Sequence, residues 1–160
     1  MSACPGARDI ACLFVSRAGY PDGRLAVEAF LAQRLVRAGA TAIGPATTTV
    51  AVQVAAYRRA RTIVSTQGSA LHAPRLLGRL DARVVVLVRR PRRRLAEALL
   101  RPRVASQAGR AMRDADFARW VAYDGQGNPH PMAPAAIERS LARRGIAIEA
   151  DAAWRTGLFA

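Results

Sequence analysis

Lysine is absent from this chain. All 25 of its basic residues are arginine, set against 11 acidic ones, and the formal net charge is +14. A charge of that size invites a nucleic-acid partner, because basic surfaces attract phosphate backbones whatever the fold. Lysine is ordinarily among the commonest residues, however. Its complete loss beside so much alanine marks a codon bias, so part of the charge is compositional drift and nucleic acid is not the expected partner. Aromatic residues are scarce as well, at 6%. Phe117, Trp120 and Tyr123 stand far downstream of the arginine run at 89–94, so no aromatics alternate with those arginines to stack bases. The run reads as a solvated turn. With only Cys4 and Cys12 there is no disulfide framework. Cys12 sits in an apolar run and reads as a small core residue, and Cys4 falls in a loose terminus. No stretch of about 18 apolar residues occurs, which excludes a membrane-spanning helix. The apolar part of MSACPGARDIACLFVSR is too short for a signal peptide, and the expected setting is cytoplasmic. His72 and His130 are the only histidines. Neither has the spacing of a zinc site, and neither a metal nor another cofactor is expected.

What the chain does have is enough length and apolar content for one folded domain. It has 160 residues, 51% of them hydrophobic, so it can bury a core and is not disordered by composition. Residues 1–160 are expected to form a single domain, loose over 1–9 and without clear pattern over 146–160. Near-continuous apolar runs at Ile10–Ser16 and Arg83–Val88 predict strands buried on both faces. Shorter strands are expected at Ala40–Gly44 and Arg61–Ser65. Helices are expected between them. The first, Leu25–Ala38, has an apolar face of Leu25, Val27, Phe30, Leu31, Leu35 and Ala38, leaves Glu28, Arg34 and Arg37 to face water, and is stopped by Gly39. The second, Val50–Ala60, carries Val50, Val54 and Tyr57 at helical spacing. The third, Ala70–Leu80, tolerates Pro74 in its first turn. Strand and helix alternate up to residue 88, which predicts an α/β fold: a Rossmann-like three-layer domain with a mostly parallel sheet. Beyond it the pattern loosens into a short helix ending near Leu100, a helix over Ser106–Phe117, a strand over Arg119–Tyr123, a loop over Asp124–Pro131, and a helix over Ala133–Arg144 stopped by Gly145.

In open parallel sheets, ligands lie outside the carboxyl ends of the strands. Two polar groups fall there. Ser16 and Arg17 end the first strand, with Arg24 seven residues on, and a guanidinium holds phosphate bidentately. The turn Thr66-Gln67-Gly68-Ser69 joins a strand to the helix expected from Ala70. The first N–H groups of a helix lack partners, and its dipole favours anions, so Gln67, Gly68, Ser69 and Ala70 form a candidate phosphate site. An ordinary strand-to-helix turn accounts for the same residues, since neither the GxGxxG nor the GxxxxGK[ST] pattern is present. Arg17 also has a plain alternative as one solvated arginine among many. Glu28 and Gln53, one on each of the first two helices, read as exposed polar residues when taken alone.

Three segments taken in order add to this. LFVSRAGYPDGRLAVEAFLAQRLVRAGATAIGP, VAVQVAAYRRARTIVSTQGSALHAP and VVVLVRRP together resemble glycosyltransferase family 61, the capsular polysaccharide biosynthesis proteins. The resemblance covers about residues 10–90. Ser16 and Arg17 match a Ser-Arg pair at a strand end, Arg24 and Glu28 the arginine and acidic residue that follow, and Gln53 a glutamine before the alanine-rich helix end. Gln67, Gly68, Ser69, Ala70 and Leu71 match a turn that in many relatives reads His-Gly-Ala-Gly-Leu. Gln67 stands in place of the histidine and Ala73 in place of an asparagine, and the strand Arg83–Val88 lacks a glutamate frequent in eukaryotic members. These departures bear on donor choice and on activity.

The resemblance implies one half of a two-domain GT-B glycosyltransferase, the half that binds a nucleoside-diphosphate sugar for transfer to a glycan or polysaccharide acceptor. The Ser69 and Ala70 N–H groups would hold the diphosphate, Arg17 would neutralise the leaving group without a metal, and Glu28 and Gln53 would support Arg17 or contact the nucleotide. No catalytic base is assigned. The N-terminal half has no room in this chain, so the resemblance implies a fragment, a truncated product, or one part of a split enzyme with a partner subunit. Two other functions remain open: a basic, non-enzymatic nucleic-acid-binding domain, and an inactive remnant serving as an interaction module.

Overall fold

Apolar strands need cover on both faces, and the chain supplies it by alternating strand and helix. The computed structural model describes residues 8–20, 28–72, 77, 80–88, 98, 100, 112–119, 121–123, 129–131, 134–148 and 152. Strand β1 (Ile10–Val15) leads to helix α1 (Glu28–Arg37), β2 (Thr41–Ile43), α2 (Val50–Arg59) and β3 (Ala60–Thr66). A 3-10 turn (Ser69–His72), β4 (Leu80–Val88) and β5 (Met112–Arg119) follow. Strands β6 (Val121–Tyr123) and β7 (Pro129–Pro131) and helix α3 (Pro134–Ala142) close the sequence of elements. The main sheet has five strands in the order β2-β1-β3-β4-β5, and every neighbouring pair is parallel.

The side-chain period of a strand divides the core in two. Leu13, Val15, Ile63, Val84 and Val86 point to one face, where Ala56 and Tyr57 of α2 meet them. Phe14, Val64, Val85 and Leu87 point to the other, against Leu31 and Leu35 of α1 and Ile137 and Leu141 of α3. Each fully buried side chain of this size stabilises the fold by roughly 1.5–3 kcal/mol. With α1 on one face and α2 on the other, the winding direction changes between β1 and β3. In doubly wound sheets of this order, that change opens a crevice at the carboxyl ends of the strands.

Two glycines end helices as expected. Gly39 N–H donates to Val36 O and Ala40 N–H to Leu35 O, while Gly145 N–H donates to Ala142 O and Ile146 N–H to Leu141 O. Both ends are Schellman motifs, each with a glycine in the left-handed region, at φ 90° and 68°. A side chain there costs about 1–2 kcal/mol. Gly145→Ala is accordingly expected to lower the urea midpoint by that free energy with an unchanged slope. An unchanged midpoint would refute the requirement.

Several sequence expectations need correction. In place of a helix over Ala70–Leu80 there is a four-residue 3-10 turn, and β4 already begins at Leu80. Leu80 and Ala82 are buried while Asp81 and Arg83 are half-buried, a period-two pattern that belongs to a strand. Residues 73–76, 78 and 79 lie outside the described residues. The helix expected over Ser106–Phe117 is overturned at Met112–Phe117, which belong to β5 beside β4. The alternation Asp114, Ala115, Asp116, Phe117 suits that pairing. The strand expected at Arg119–Tyr123 divides: Arg119 ends β5, and β6 pairs antiparallel with β7 in a small separate sheet. Part of the expected loop at 124–131 is therefore strand. On α1, Glu28 and Arg34 are buried and Ala38 is exposed, the reverse of the expected arrangement. On α2, Val50 is 64% exposed, so its apolar face begins at Val54. The arginine run at 89–94 lies outside the described residues, as do Arg24 and Cys4.

Candidate functional site

The loop after β1 is shaped by its own polar groups. Ser16 N–H donates to Ile43 O at 2.9 Å, which carries the pairing with β2 one residue beyond the strand. Ser16 Oγ accepts from Ala18 N–H at 3.1 Å, and Arg17 O accepts from Tyr20 N–H at 2.9 Å. Arg17 is thereby held in a turn over the sheet's carboxyl edge. It is only 8% exposed, and its guanidinium lies 4.6 Å from the centroid of the Tyr20 ring. Such a cation–π contact contributes on the order of 1 kcal/mol.

Glu28 opens α1. Three and seven residues on stand Leu31 and Leu35, so Glu28 lies on the buried stripe of the helix. It is 1% exposed. Its Oε1 accepts from the Arg17 N–H and, at 3.0 Å, from Thr66 Oγ1. An acidic group in the first turn also complements the helix dipole. Thr66 ends β3 and is wholly buried.

The turn after β3 completes the arrangement. Gln67 is buried, and its N–H donates to Leu87 O at 3.0 Å, prolonging the link to β4. Gly68 O accepts from Leu71 N–H at 3.1 Å, which closes the 3-10 turn. The Gly68 α-carbon lies against Arg17: a Cβ built there would come within 2.9 Å of Nη1 and 3.1 Å of Cδ and Cζ. Glycine is needed here for close approach, since its φ is not positive. The structure thus brings Ser16, Arg17, Glu28, Gln67 and Gly68 to one crevice, and the backbone of Ser69 and Ala70 follows directly.

Two expectations about this site change. A four-residue 3-10 turn has no macrodipole to offer, so the anion site expected at a helix N-terminus after Gly68 is not of that kind. Positive charge at the crevice comes from Arg17 instead. Gln53 braces a different loop, its Nε2 donating to Pro45 O at 3.3 Å and to Thr48 O at 3.0 Å in the connection from β2 to α2. Sequence reading misses Thr66. The available signal is its parity with Val64, which places a hydroxyl on the face covered by α1.

Titratable groups outside the Arg17–Glu28–Thr66 contacts are shifted. Burial pushes the Cys12 thiol up to about 11. The Tyr57 hydroxyl has no hydrogen-bond partner among the described residues, and burial, with Tyr20 nearby, pushes it up to about 12. Ahead of β1, Arg59 hydrogen-bonds Asp9 and holds its carboxyl down at about 2. A carboxyl depressed in the folded state stabilises above its unfolded value near 3.9, and that contribution is lost as pH falls from about 4 toward 2. An NMR titration is expected to show the Asp9 midpoint returning toward 3.8 in Arg59→Ala; a midpoint unmoved by the substitution contradicts the assignment.

No family model, curated protein or solved structure matches the chain. No helix among the described residues is long and apolar enough to cross a membrane.

Proposed function

We propose that this domain binds a nucleoside-diphosphate sugar in the crevice between β1 and β3 and serves glycosyl transfer to a glycan or polysaccharide acceptor. One observation carries the reading. A nearly buried arginine is fixed by its backbone to a buried glutamate and packed against a glycine at the switch point of a doubly wound sheet. Ser16, Arg17, Glu28 and the turn from Gly68 are also among the residues that carry the resemblance to glycosyltransferase family 61, in which Gln67 replaces a histidine. In this reading the turn amides of Ser69 and Ala70 and the Arg17 guanidinium face the diphosphate. Transfer breaks the bond between the anomeric carbon and the phosphate oxygen. Negative charge then grows on the departing diphosphate, where a fixed guanidinium is worth most. The acceptor oxygen forms the new bond and gives its proton to a base outside this cluster, supplied by the complementary half of a GT-B enzyme or by a partner subunit.

Calorimetry with UDP-, GDP- and CMP-sugars tests the reading. The UDP- or the GDP-sugar is expected to bind below about 1 mM, more tightly than the CMP-sugar with its single phosphate, and Arg17→Ala to weaken that binding by about tenfold or more. The reading fails if none binds at millimolar concentration. If duplex DNA binds instead, with a steep salt dependence that needs the arginines at 89–94, the +14 charge marks a nucleic-acid-binding domain. Binding of neither leaves the inactive interaction module.

A further inference from the structure

The recorded pairing of β1 with β3 ends at Val15 opposite Ser65. Past that point β1 has ended, and the loop after β1 and the end of β3 are joined by contacts outside this ladder. One of them runs through a carboxylate oxygen. Glu28 Oε1 accepts the Arg17 N–H from the loop after β1 and the Thr66 hydroxyl from the end of β3. Thr66 is wholly buried, on the strand face where Val64 packs against α1. Valine would fill the same volume and suits a buried strand at least as well. A buried hydroxyl is costly unless it is bonded, and here its bond is to Glu28.

We propose that Thr66 is a positioning residue of the switch-point site. Its hydroxyl orients the Glu28 carboxylate, and through that carboxylate fixes the main chain of Arg17 at the height where the guanidinium meets the ligand. Thr66 does not itself touch the ligand. The consequence for affinity rests on the donor-binding reading, whereas the consequence for the Arg17 backbone does not.

Thr66→Val and Thr66→Ser are compared with the unaltered chain by two measurements: hydrogen exchange at the Arg17 amide, and calorimetry with UDP. In Thr66→Val, exchange at Arg17 is expected to quicken about tenfold while Phe14 and Val85 keep their protection, and the UDP dissociation constant to rise about tenfold. Thr66→Ser, which keeps the hydroxyl, is expected to restore both to within about twofold. If Arg17 exchanges in Thr66→Val as in the unaltered chain, or equally fast in both variants, the inference is overturned whatever UDP does. Faster exchange with unchanged UDP affinity also overturns the positioning role. If the unaltered chain fails to bind UDP or any UDP-, GDP- or CMP-sugar, the donor reading falls, and the exchange result still decides whether Thr66 fixes Arg17. Should Thr66→Val not fold, Thr66→Cys, a weak donor of similar size, takes its place.

Discussion

Glu28→Ala is expected to cost about 2–5 kcal/mol of folding stability, from two stranded buried donors and the space left behind. The cost comes less from lost attraction than from what remains. The Arg17 N–H and the Thr66 hydroxyl both end on Glu28 Oε1, and each stranded donor costs about 1–3 kcal/mol where water cannot reach it. The missing carboxymethyl group also leaves space beneath the loop after β1, which adds a cavity term. Glu28→Gln separates these causes. Its amide oxygen can accept both bonds at nearly the same volume, so it is expected to cost only about 1 kcal/mol. Urea unfolding of the two variants measures the difference. If Glu28→Ala lies within 1 kcal/mol of the unaltered chain, Glu28 is not the brace described here. If Gln is as damaging as Ala, the charge matters more than the two bonds.

The parallel sheet is legible because its inner strands are apolar nearly throughout. Leu13–Val15 and Val84–Val88 are buried throughout, and the helical stretches between them fix parallel connections. The helix stops at Gly39 and Gly145 are legible for an equally local reason, the left-handed conformation. β5 is harder to read because MRDADFAR is charged at half its positions. Its conformation follows from pairing with β4, which no local pattern announces. Glu28 misleads in another way. An acid near a helix start reads as a surface residue, and only its phase with Leu31 and Leu35 shows that it points inward. Arg34 misleads similarly: a long side chain lies buried over the Phe30 ring, 4.5 Å from its centroid. The candidate site is thus half legible. The residue types at the strand ends can be read from the sequence, but the bonds that join them link residues far apart in the chain, such as Glu28 and Thr66.

Gly68→Ala is expected to abolish most ligand affinity while sparing the fold. The added Cβ would approach Arg17 Nη1 to 2.9 Å and Cδ and Cζ to 3.1 Å, closer than carbon accepts. What must give is the end of a flexible side chain, not the backbone, and Gly68 has no positive φ to defend. The displaced side chain is nearly buried and stacked on Tyr20, so stability is expected to fall by about 1–3 kcal/mol, short of unfolding the domain. Binding differs because it depends on where the guanidinium lies. A displaced arginine loses charge-assisted bonds worth about 1.5–3 kcal/mol, so the UDP dissociation constant should rise about 10- to 100-fold. Whether this acts through Arg17 can be measured with a double-mutant cycle. If Gly68 matters only because it lets Arg17 lie where it does, Gly68→Ala added to Arg17→Ala should cost nothing further. Fully additive losses would mean that the 68–70 turn contacts the ligand independently of Arg17. Unchanged affinity in Gly68→Ala alone would mean that the guanidinium against this glycine is a packing contact, and that the anion, if one binds, is held elsewhere on the rim.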